Sequence, residues 1–146
     1  MPIKTFRGTI AMGAEDQISL HTNNGATGYR IRKFQLISTT PATGDNEYIG
    51  KITKMPDDDI STSVDLSDNK ILAVNYYVSG RYTSETQNTL VIFDQDVVNQ
   101  DIYVNITDGI GGTIPCNYYI ELEQVKLDLN ENTVATLKDI RNIASQ

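Results

Sequence analysis

Apolar residues in this chain recur at every second position, in short runs cut off by clusters of Asn, Asp, Gly, Ser and Thr. Ile102, Val104 and Ile106 follow this rule, as do Ile114, Cys116, Tyr118, Ile120 and Leu122. Successive side chains of an extended strand point to opposite faces, so such a run buries one face and solvates the other. An amphipathic helix would need its apolar residues three and four apart. Strands are expected over 3–12, 17–22, 29–38, 48–55, 71–82, 89–93, 101–107 and 114–129. Turn-rich connections without intervening helices favour antiparallel pairing over βαβ units. The expected fold is all-β: an antiparallel β-sandwich of jelly-roll type, with a partly open barrel as the second choice. A length of 146 residues suits a single domain over 1–146 with a core of its own.

Breaks in the alternation are informative. Tyr29 and Ile31 share one face, whereas Phe34 and Leu36 share the other, so a β-bulge is expected near Lys33. Val125, Leu127 and Leu129 continue the face of Leu122 only if one residue is skipped, which places a second bulge at Glu123 or Gln124. The segment 71–82, ILAVNYYVSGRY, is apolar enough for a central strand. The polar stretch PDDDISTSVDLSDN, 56–69, is expected to cross between sheets.

The chain carries a net charge of −7 and a pI of about 4.5. That balance disfavours nucleic acid and anionic membranes, whose phosphates call for a basic surface. No apolar run approaches the length of a membrane span, and the apolar stretch near Met1 is too short for a signal peptide. A single cysteine, Cys116, excludes an intrachain disulfide and fits a cytosolic origin. Eight tyrosines, with no tryptophan, suit positions that are half in a core and half in water or an interface.

Catalytic signals are few. His21 is the sole histidine, with Ser19 two residues away on its face as a conceivable nucleophile; an ordinary surface histidine is the simpler reading. Cys116 alternates with Tyr118 and Ile120, as a buried structural thiol would, and has no neighbouring base to activate it. DGIGG, 108–112, lacks the following helix of a phosphate loop. One histidine and one cysteine do not make a zinc site. Asp57, Asp58 and Asp59, Asp65 with Asp68, and Asp94 with Asp96 concentrate oxygens; solvated loops explain them more simply than a hard cation. Asn105-Ile106-Thr107 is a glycosylation sequon by letter, read as a coincidence. No catalytic residue, cofactor or metal ligand is assigned, and the protein is expected not to be an enzyme.

The segment 128–146, DLNENTVATLKDIRNIASQ, carries two patterns. Asp128, Asn130 and Asn132 copy the start of an EF-hand loop, but Thr133 stands where glycine is needed and Asp139 where a bidentate glutamate belongs. Val134, Leu137, Ile140 and Ile143 stand three apart, and Asn130 or Asn132 can cap a helix, so a short helical segment over 130–146 is expected. About a dozen residues are marginal as an isolated helix, so this one must dock on its own domain or on a neighbour.

The stretch 94–143, above all QDIYV…CNYYIELE and TLKDIRNI, resembles small structural proteins of marine tailed bacteriophages; GYRIRKFQLIS, 28–38, fits the same style. The resemblance implies a virion component without catalytic residues. For a β-rich chain of this size it implies a capsid decoration (cement) protein, made in the host cytoplasm and placed on the capsid surface. Such proteins assemble as homo-oligomers, typically trimers, and clamp the major capsid protein. Val134, Leu137, Ile140 and Ile143, with Tyr76, Tyr77 and Tyr82, would then be interface residues. A tail or neck protein is the alternative within this class. A carbohydrate-binding receptor-recognition domain, with Tyr76, Tyr77 and Tyr82 as exposed aromatic platforms, is the alternative outside it.

Overall fold

The structure is a computed structural model and describes residues 2–22, 25–42, 45–79, 87–109 and 112–127. The expected helical segment over 130–146 and Tyr82 lie outside the described residues.

The described residues form eight strands in two antiparallel sheets. They are β1 (Ile3–Ile10), β2 (Glu15–Ile18), β3 (Thr27–Ser38), β4 (Asn46–Thr53), β5 (Ile71–Ser79), β6 (Gln87–Ile92), β7 (Ile102–Asp108) and β8 (Cys116–Lys126). One sheet has the order β1-β8-β3 and the other β2-β7-β4-β5-β6. First and last strands pair, as they do in a jelly roll, but β4 to β7 all lie in the larger sheet. There β6 hydrogen-bonds to β5 while lying against β3. The sheets stay separate and do not close into a barrel.

The core follows from the alternation. Ile102, Val104 and Ile106 of β7 and Cys116, Ile120 and Leu122 of β8 face each other across the gap between sheets, all essentially inaccessible. Phe34 and Leu36 of β3 reach Gly50 of β4. A Cβ there would come within 2.9 Å of Leu36 Cδ1 and 3.0 Å of Phe34 Cζ, so glycine is what lets the sheets approach. Asn75 crosses the same gap, donating from Nδ2 to the Phe34 carbonyl at 3.0 Å. Between β1 and β2, Gly13 takes φ +75° in a tight turn closed by the Ala14 N–H on the Ala11 carbonyl at 3.1 Å, which ends β1 before Met12.

One expectation about irregularity holds and two need correction. The bulge near Lys33 exists: β3 slips against β8 between Ile31 and Lys33, leaving Arg32 as the extra residue. The same irregularity makes the second bulge unnecessary, and β8 pairs without interruption through Glu123 and Gln124. Leu127 returns to the interior after the strand has ended, with its N–H on the Ala26 carbonyl at 2.8 Å. The polar stretch 56–69 does not cross between sheets, because β4 and β5 are antiparallel neighbours in one sheet. It folds back over the outer face of that sheet instead.

Candidate functional site

The covering loop creates the most distinctive surface. β4 and β5 carry apolar residues on both faces. Tyr48, Ile52, Ala73 and Tyr77 point into the sandwich, and Ile49, Val74 and Ile71 form a second cluster on the outside. A strand with two apolar faces must be covered twice, and residues 54–70 supply the second cover. Lys51 anchors it. This lysine, only 5% exposed, donates its ammonium to the Ser61 carbonyl at 3.2 Å and to the Ser63 carbonyl. Thr107 Oγ1 donates to the same Ser61 carbonyl at 3.3 Å, and the Asp57 N–H is held by Glu15 Oε2 at 3.0 Å.

The cover is incomplete. An open groove of about 560 Å³ runs between the loop and β4–β6, lined by Ile49, Val64, Leu66, Val74, Tyr76 and Val91. Val64 and Leu66 remain 44% and 48% exposed beside it.

The loop's carboxylates have local duties. Asp57 Oδ1 accepts the Asp59 N–H at 3.0 Å, and Asp68 Oδ1 the Lys70 N–H at 2.9 Å. Asp65 Oδ1 takes the Ser67 N–H at 3.0 Å and its hydroxyl at 2.5 Å, which hold its pKa below the usual carboxylate value. These are Asx-turns, the backbone-bonding habit that enriches aspartate in loops. Among the described residues no three Asp, Glu, His or Cys side chains converge as metal ligands.

His21 is not paired with Ser19. Its Nδ1 meets Asp101 Oδ1 at 2.6 Å, and the same carboxylate accepts the N–H groups of Leu20 and His21 and the Gln17 amide. Burial alone would raise the Asp101 pKa. The His21 ring and N–H, the Leu20 N–H and Gln17 outweigh it and bring the carboxyl down to about 2. Asp101 therefore pins the segment after β2 to the start of β7. Cys116 is fully buried, and burial pushes its thiol up to about 12, so it is a core residue with no thiolate to offer.

The tyrosines divide. Tyr76 is half-buried at the groove, with burial and a hydrogen bond from its hydroxyl to Glu47 raising its pKa. Tyr77 is corrected as a surface residue: it is 7% exposed and stacks on Tyr48 in the core, ring centroids 6.1 Å apart. Parity decides this, since neighbours in a strand take opposite faces. An aromatic group that sequence reasoning passed over is Tyr119. With Arg7, Thr9, Gln35, Asn117 and Asn88 it lines an open concavity of about 700 Å³ at the smaller sheet. Register gathers these residues: Arg7 and Gln35 flank Tyr119 on the two neighbouring strands, and Thr9 stands opposite Asn117.

Comparison with protein-family models, with curated proteins and with solved structures finds no match.

Proposed function

We propose that this chain is a non-enzymatic structural subunit of a bacteriophage particle, a capsid decoration protein that forms a homo-oligomer, a trimer by preference, and clamps the major capsid protein. The observation that carries the reading is the groove beside the covering loop. A largely apolar channel flanked by half-exposed Val64 and Leu66 is what a contact surface needs, because burying it releases water from apolar area, with Glu47 the one charged side chain in its lining. Jelly rolls recur in viral capsid domains, which agrees with the reading by analogy of fold. The acidic balance keeps the free subunit soluble until it assembles. The test is co-sedimentation with shells of the major capsid protein. Near-stoichiometric binding that survives washing supports the proposal, and protein left in the supernatant at every ratio overturns it.

The Tyr119 concavity favours a second reading, carbohydrate recognition, since an aromatic face among amide and guanidinium donors suits a sugar. Jelly rolls also recur in lectin domains. Glycan-array binding abolished by Tyr119→Ala would establish it, and a blank array would remove it.

A further inference from the structure

Beneath the covering loop, the outer face of the larger sheet carries one polar row. Glu15 of β2 stands opposite Asn105 of β7, and Asn105 stands opposite Lys51 of β4. Directly opposed residues on antiparallel neighbours share a face, with Cβ atoms about 4.5–5.5 Å apart. The Asn105 amide is thus flanked by an amine on a four-carbon stem and by a carboxyl group. Asn105 is fully buried, and neither its Nδ2 nor its Oδ1 has a hydrogen-bond partner among the described residues. That is an unusual state for a group that ordinarily gives and takes four hydrogen bonds. Lys51 is buried beside it, with its nitrogen steadied by the Ser61 and Ser63 carbonyls. Glu15 is held by the Asp57 N–H through one oxygen.

We propose that Lys51 and Asn105 join in an intramolecular isopeptide bond, with Glu15 carrying the proton. The Glu15 carboxylate accepts a proton from the Lys51 ammonium, and the freed Nζ lone pair attacks Asn105 Cγ. The C=O electrons move to Oδ1 and return as the Cγ–Nδ2 bond breaks. Nδ2 keeps that electron pair, takes one proton from the attacking nitrogen and one from Glu15, and leaves as ammonium. One amide bond is lost and one is formed, nothing is oxidised or reduced, and no co-reactant is needed. Burial under the loop keeps out the water that would compete with the attacking amine. The three groups are brought together by strand register in the folded state, so the bond would form after folding and tie β4 to β7. The sequon at Asn105 acquires another meaning: its amide faces the protein interior, away from any glycosylating enzyme.

Intact mass under denaturing conditions decides the matter, read on folded protein held at neutral pH until the mass stops changing. The wild type is expected to be lighter than its sequence by one ammonia and to yield a branched peptide joining residues 51 and 105 on proteolysis. Lys51→Arg and Asn105→Ala are expected to keep their full sequence masses, and Glu15→Gln to form the link at least tenfold more slowly. A wild-type protein of full sequence mass with an intact β-sheet circular dichroism spectrum overturns the proposal. An ammonia loss that persists in Lys51→Arg overturns it as well, because the lost group then comes from elsewhere.

Discussion

At the scale of single residues, Asp101 shows how one carboxylate organises a strand end. Its folded pKa of about 2 lies below an ordinary 3.8. The charged form is therefore favoured by folding, and its contribution is fully present above pH ~4 and lost as the pH falls through about 2. Asp101→Asn is expected to lower stability by about 1–2 kcal/mol at neutral pH in urea titrations, and the gap to wild type should close near pH 2. A gap that stays constant across that range would refute the assignment. Gly50 acts through space, not charge. Gly50→Ala pushes a methyl group against Leu36 and Phe34 and is expected to cost about 1–3 kcal/mol by overpacking, read as a lower thermal midpoint. Neither role was legible in the sequence. His21 and Asp101 are 80 positions apart, and nothing local joins them. Gly50 reads as an ordinary strand interruption until the opposite sheet is in place.

At the scale of elements, β3 and the covering loop test how far parity reasoning reaches. The switch from Tyr29 and Ile31 to Phe34 and Leu36 announced a bulge correctly, because side-chain parity can change inside a paired strand only by an extra residue. Arg32 and Lys33 both face outward there, pairing with Glu123 and Glu121. Deleting Arg32 forces either Tyr29 with Ile31 or Phe34 with Leu36 out of the core. The expected loss is about 3–6 kcal/mol, from two large side chains at roughly 1.5–3 kcal/mol each, measurable as a collapse of the denaturation midpoint. An unchanged midpoint would mean the register is not fixed by these four residues. The similar switch after Leu122 misled, since Leu127 regains the interior by leaving the strand. The covering loop was misread as a crossover because its own residues are mostly polar. The signal lay in its flanks: Tyr48 with Ile49, and Ile71 through Val74, are apolar on consecutive positions and so need cover on both faces.

At the scale of the whole molecule, the eight-strand sandwich was readable in advance, because alternation and turn spacing are set by the backbone alone. The groove beside the covering loop was not. Val64 and Leu66 stand in an otherwise polar segment, and they become a groove wall only when the loop returns across β4–β6. Leu66→Lys is expected to leave the fold intact, since the residue is 48% exposed, while weakening self-association at least tenfold by placing a charge in an apolar contact. Circular dichroism and a dilution series separate the two effects, and unchanged association would move the interface elsewhere. The most direct test of the account is the mass of the wild-type protein in solution, by sedimentation velocity across a wide concentration range. A concentration-dependent oligomer that saturates at a closed state, with the trimer preferred, is the predicted result. A single monomer boundary at every concentration would contradict it.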